Sequence, residues 1–148
     1  MYLGIVKVKV RAKNRVAFPS RFKKVTGNSL LITNWFENSL MLLPKEKWEE
    51  LVKSFFEHVS VLQPEVRDLD RFLFGGTYEV ELDPEGRFVV PAYLKEYAKI
   101  GENVIFVGGM WNIQMWDEKV FENYRAINAV QVREKAIKVF DQGNKKNE

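Results

Sequence analysis

The sequence predicts an α+β protein built from two pseudo-equivalent barrel modules with added helices, and three observations carry that expectation. First, the chain repeats itself. At a shift of 72, Gly4 falls on Gly76, Val8 on Val80, Val10 on Leu82, Arg15 on Arg87, Pro19 on Pro91, Phe22 on Leu94 and Lys23 on Lys95. Second, each copy opens with period-two alternation: Val6, Val8, Val10 and Ala12, then Tyr78, Val80, Leu82 and Pro84. That pattern is a half-buried strand. Third, apolar residues at helical spacing follow the strands of both copies.

Taken in order, the first strand of the second copy ends at Asp83-Pro84-Glu85-Gly86. Proline second and glycine fourth suit a type I turn closed by a left-handed residue. The first copy has Asn14 where the second has Gly86, and asparagine is the next-best residue at positive φ. The two turns are therefore expected to share one shape. The returning strands, Val16 to Phe18 and Phe88 to Val90, stop at Pro19 and Pro91, which cannot continue a ladder but suit a helix start. Short helices carrying Phe22 and Val25, and Leu94 and Tyr97, come next.

A second hairpin is expected in each copy, Leu30 to Thr33 with Leu40 to Leu43, and Val104 to Val107 with Asn112 to Trp116. Lys45 to Val59 then reads as an amphipathic helix with Trp48, Leu51, Val52, Phe55, Phe56 and Val59 inward. A shorter helix runs from Pro64 to Gly75-Gly76 with Val66, Leu69, Phe72 and Leu73 inward. Asp117 is a suitable N-cap for a last helix, carrying Val120, Phe121, Tyr124 and Ile127 and extending to Phe140. The expected division is a first module over 1–61, a linking helix over 62–75, a second module with its C-terminal helix over 76–140 and a frayed tail over 141–148.

Composition removes whole classes of function. The chain has 148 residues, 46% hydrophobic and 29% charged, which is enough for a real core and excludes disorder outside the termini. With no cysteine there is no disulfide framework, thiol chemistry or cysteine-based metal site. A single His58 leaves no partner for a two-histidine metal site and reads as a border residue of its helix. No apolar run approaches the roughly 20 residues needed to span a bilayer, and no leader pattern is expected. These features point to a cytoplasmic protein with no membrane partner, no small-molecule substrate and no cofactor or metal. Carboxylate pairs such as Glu79 with Glu81 lack any surrounding concave site, so enzyme activity is not expected.

The charge distribution points to a partner. Residues 1–36 hold eight basic residues and no acidic one, whereas the rest of the chain has 15 basic against 20 acidic. An anionic partner at the N-terminal end is implied, and nucleic acid is the commonest. The alternation puts Lys7, Lys9, Arg11, Lys13 and Arg15 on one strand face, about 6.6 Å apart, a ladder that can follow phosphates. The competing reading is a solvated edge kept from sticking by lysine. The matching face of the second copy, Glu79, Glu81, Asp83 and Glu85, is acidic. The two stripes are therefore expected to pair across the pseudo-twofold axis or between subunits, leaving only the turns around Arg11 to Arg15 and Arg87 for DNA. Arg87 could also close its own turn on Asp83. Arg21, Lys23 and Lys24 read as solvent or backbone contacts.

Two copies of strand, turn, strand, proline, short helix and hairpin resemble the MraZ family, whose halves are swapped-hairpin modules of the AbrB type. The matching residues are Leu82 to Pro91 (LDPEGRFVVP), Trp116-Asp117, Arg71 to Phe74 and Tyr2-Leu3-Gly4. The first copy departs from the family pattern of Asp followed four residues later by Arg, since it has Arg11 in the Asp position while Arg15 and Pro19 remain. The resemblance implies a transcriptional regulator, nucleoid-associated in the cytoplasm, which binds double-stranded DNA at promoter direct repeats of a cell-division and cell-wall gene cluster as a ring-shaped homo-oligomer. The candidate DNA-contacting set is Lys9, Arg11, Lys13, Asn14 and Arg15 in the first copy and Asp83 and Arg87 in the second. The alternatives are an AbrB-type antitoxin that binds DNA and a toxin, and a structural ring or adaptor without DNA binding.

Overall fold

The computed structural model describes residues 1–146 and is a mixed α+β structure with eight strands and six helices among them. In chain order these are β1 (Ile5–Lys9), β2 (Arg15–Ala17), α1 (Ser20–Thr26), β3 (Ser29–Asn34), β4 (Leu40–Leu43), α2 (Lys45–Phe56) and α3 (Pro64–Gly75). The second half supplies β5 (Tyr78–Glu81), β6 (Arg87–Val89), α4 (Ala92–Tyr97), β7 (Asn103–Gly108), β8 (Ile113–Asp117), α5 (Glu118–Ala129) and α6 (Val132–Lys146). The chain forms two compact units, residues 1–118 and a helical unit beginning at Lys119.

Strands from the two halves interleave within the first unit. A six-stranded antiparallel sheet has the order β1-β7-β8-β4-β3-β5, and β2 pairs separately with β6. Each half thus sends its first strand to the other half's second hairpin: β1 lies on β7, and β5 lies on β3. Alternation places the core along these strands. Val16, Phe18, Phe88 and Val90 point inward from the β2–β6 ribbon and its continuation, while Arg15, Ala17 and Val89 point outward. Phe18 is the hub, with ring centroids 5.7 Å from Phe106, 6.1 Å from Phe22 and 6.4 Å from Phe88.

Several expectations change. The basic and acidic stripes do not face each other within the chain, because β1 and β5 occupy opposite edges of the six-stranded sheet. Lys9 stands opposite Asn103, and Glu81 opposite Ser29. Lys7 instead meets Glu118 at 2.9 Å. The five-residue cationic ladder is also interrupted: β1 ends at Lys9, and a tight turn over Ala12–Asn14 carries Lys13 off the strand.

The last helix does not run unbroken to Phe140, since α5 stops at Ala129 and α6 starts at Val132. Asn128 and Val130 are poor helix formers, and the Gln131 N–H turns back to the Asn128 carbonyl at 2.9 Å. Helix α6 continues to Lys146, past the expected start of the tail; the remainder of that tail, residues 147–148, lies outside the described residues. The α2 stripe is only partly covered: Trp48 is buried, Leu51, Val52 and Phe56 are half-buried, and Phe55 and Val59 are exposed. His58 falls just after α2 and is exposed. Among the described residues no helix is long and apolar enough to cross a membrane, and no cluster of metal-ligating side chains occurs.

Candidate nucleic-acid interface

The β2–β6 ribbon positions two turns. Its register sets Arg15 opposite Val89 and Ala17 opposite Arg87, so the turn leading into each strand lies at the opposite end of the ribbon from the other. The two turns close with the same backbone bond. Arg11 N–H donates to the Arg15 carbonyl and Asp83 N–H to the Arg87 carbonyl, both at 2.8 Å. Their interiors differ. In the second turn only Gly86 has positive φ, at 79°, as the Asp-Pro-Glu-Gly pattern predicts. In the first, Lys13 and Asn14 both do, at 62° and 59°. The expected identity of shape therefore fails at one residue. Without Pro84 to fix the leading bend, the first turn takes two consecutive left-handed residues, a conformation costing about 1–2 kcal/mol each for ordinary side chains.

Lys13→Gly is accordingly expected to stabilise the fold by about 1 kcal/mol while removing one cation from the turn. A rise in melting temperature alongside weaker DNA affinity is the expected pair of results.

Electrostatics separate the turns further. Arg11, Lys13 and Arg15 are exposed, and among the described residues none has a carboxylate within ion-pairing distance. In the second turn Arg87 Nε lies 3.3 Å from Asp83 Oδ2, and its Nη2 is ion-paired with Glu85. Asp83 Oδ1 also accepts the N–H groups of Glu85 and Arg87, each at 2.9 Å. These contacts hold the Asp83 carboxyl below the usual carboxylate range. The Arg87 N–H contributes most, the Glu85 N–H and the Arg87 charge add to it, and partial desolvation opposes it.

Arg87 thus closes its own turn. Because the folded state depresses the Asp83 value, its contribution to stability is present above the ordinary value and lost as pH falls through the folded one. The difference in melting temperature between wild type and Asp83→Asn should shrink as pH drops below about 4.

Of the predicted residues, Arg11, Lys13, Asn14 and Arg15 gather at one turn and Asp83 and Arg87 at the other, while Lys9 stays on β1. Two further lysines lie beside these turns: Lys95, which sequence reasoning left out, and Lys23, which it read only as a solvent or backbone contact. Lys95 on α4 donates to Asn14 Oδ1 at 2.6 Å. Lys23 on α1 places its Nζ 3.9 Å from the position a Cβ on Gly86 would occupy. The repeat carried the signal, since Lys23 and Lys95 superpose at the 72-residue shift.

A family model described as "MraZ protein, putative antitoxin-like" matches residues 73–142. A protein of Leuconostoc citreum named "Transcriptional regulator MraZ" is 30% identical over 129 residues, 87% of this chain and 90% of that protein. Proteins with the same name from Thermoanaerobacter sp. and Acetivibrio thermocellus are 31% and 32% identical over 124 residues, each covering 84% of this chain and 86% of the relative. With relatives at 30–32% identity over most of its length, the chain belongs to the MraZ family.

Proposed function

We propose that this chain is a sequence-specific DNA-binding transcription regulator that grips double-stranded DNA chiefly through the first turn, Arg11 to Arg15. The observation that carries the reading is the contrast between the turns: one presents three exposed cations that have no carboxylate partner among the described residues, and the other has its arginine neutralised by Asp83 and Glu85. A projecting two-stranded element fits the major groove, where cations at its end hold it on phosphates. Lys9 on the neighbouring strand extends the cationic surface, and Arg87 and Asp83 give the second turn a subordinate contact. The relatives' name supports the same role.

The finer reading is that the interleaved halves are two swapped-hairpin barrel modules, over 1–61 and 76–140, acting as a ring-shaped homo-oligomer on promoter direct repeats of a cell-division and cell-wall gene cluster, on the nucleoid. No catalytic step or cofactor enters it. Assembly is supported by apolar side chains left in solvent, including Met1, Leu3, Val61, Leu62 and Met110. Repeated operators reward repeated subunits through avidity. A shift assay with repeat-bearing promoter fragments tests the proposal: binding that outcompetes a scrambled fragment is expected. An assembled protein that shifts neither fragment would leave a structural ring without DNA binding.

A further inference from the structure

Each recognition turn is accompanied by a lysine from the opposite half of the chain, and the topology dictates why. The Asn14 carbonyl accepts the Val90 N–H at 2.9 Å, immediately before Pro91 and α4. Helix α4 therefore starts beside Asn14 and delivers Lys95, its fourth residue, to the Asn14 side chain. By the same construction the Gly86 carbonyl accepts the Phe18 N–H at 2.9 Å, immediately before Pro19 and α1, and Lys23 approaches Gly86. Both lysines are half-buried. Their partners differ: Lys95 meets a carboxamide, whereas Lys23 meets a glycine with no side chain to hold.

We propose that Lys95 is a positioning residue for DNA reading, orienting the Asn14 carboxamide so that the first turn offers hydrogen-bond donors to the bases. The proposal rests on the DNA-binding reading of that turn. An ammonium group only donates, so the carboxamide atom facing Lys95 at 2.6 Å is the oxygen. The amide nitrogen then projects away from Lys95 with two N–H groups. Bidentate reading of adenine needs asparagine to accept from N6 as well as donate to N7. With a charged donor already on Oδ1, that arrangement is disfavoured, and acceptor atoms on the major-groove edge become the matching targets: guanine N7 and O6, thymine O4. Lys95 and Asn14 come from different halves, 81 positions apart, so base reading by the first half depends on the second. In the second turn Gly86 has no carboxamide, so Lys23 has no such duty and serves as the internal control.

The experiment measures affinity of the full chain for a repeat-bearing promoter fragment and for fragments substituted one base pair at a time, at several salt concentrations. The variants are Lys95→Met, Lys95→Arg, Asn14→Ala, the Lys95→Met/Asn14→Ala double variant and Lys23→Met, each checked for its melting temperature. Lys95→Met is expected to weaken specific binding about ten-fold and to flatten discrimination at one base pair. The salt slope should be unchanged, and adding Asn14→Ala should cause little further loss. Lys95→Arg, which can still donate to Oδ1, should retain most of the discrimination. Lys23→Met should leave discrimination unchanged.

Three results would overturn the proposal: unchanged discrimination in Lys95→Met, full additivity of the two substitutions, or a slope shallower by about 0.9 in Lys95→Met, which marks a direct phosphate contact. If Lys95→Met fails to fold, Asn14→Gly decides alone, since glycine suits the left-handed turn and removes the carboxamide. Retained discrimination in Asn14→Gly overturns the proposal. Loss of binding in Arg15→Ala with discrimination intact in Lys95→Met would remove only this proposal, whereas a wild-type chain that binds no DNA removes the reading beneath it as well.

Discussion

Phe18→Ala is expected to destabilise the chain by about 3–5 kcal/mol, the range for emptying a buried aromatic site that cannot collapse. The site has little freedom to close. Phe18 is 4% exposed, and its ring is ringed by Phe22 on α1, Phe88 on β6 and Phe106 on β7. Its backbone N–H also holds the Gly86 carbonyl, so loss of the ring loosens the floor beneath the second turn. Val89→Ala on the outward face of the same ribbon should cost no more than about 1 kcal/mol, because Val89 is already 52% exposed. Chemical denaturation with a common m-value for the two variants checks the contrast. Equal losses would mean that the ribbon is not packed as described.

The second large effect concerns the first turn as a unit. Replacing Arg11, Lys13 and Arg15 together by alanine should lower DNA affinity roughly a hundred-fold or more at physiological salt. The slope of log K against log salt should become shallower by about 2.7, because each neutralised phosphate contributes about 0.9. Stability should change little, since all three side chains are exposed and none makes an ion pair among the described residues. Titration at three or more salt concentrations, with a melting curve for the folded state, separates lost contacts from lost structure.

Much of this architecture is legible in the letters because local rules and tertiary demands agree. The Asp83 to Gly86 turn follows from proline and glycine at their preferred positions, and the helix after Pro64 ends at Gly75 where glycine predicts it. Strand boundaries at Leu40 to Leu43 follow from an apolar run between turns. Strand partners are a different matter. Period-two alternation states which face is buried and says nothing about which strand lies alongside, so the pairing of β1 with β7 and of β5 with β3 appears only in the fold. The expectation that the basic and acidic stripes pair across the pseudo-twofold axis failed within the chain for that reason. The first turn shows the same limit at smaller scale. Asn14 was recognisable as a left-handed position, but a second one at Lys13 has no compositional signal, because lysine rarely pays that strain. Lys95 was visible as the repeat partner of Lys23, yet its placement on Asn14 needs the crossed connection that brings α4 over the other half's turn.

On the proposed reading the two turns, alike in their closing bond, are unequal on DNA because among the described residues Arg15 has no carboxylate partner and Arg87 has two. The direct measurement is the salt dependence of binding to one repeat-bearing fragment for wild type, Arg15→Ala and Arg87→Ala, with folding of each confirmed by thermal melting. The result expected is a slope shallower by about 0.9 in Arg15→Ala and a much smaller change in Arg87→Ala. A wild-type slope retained in Arg15→Ala and lost in Arg87→Ala would contradict the claim and place the grip on the second turn.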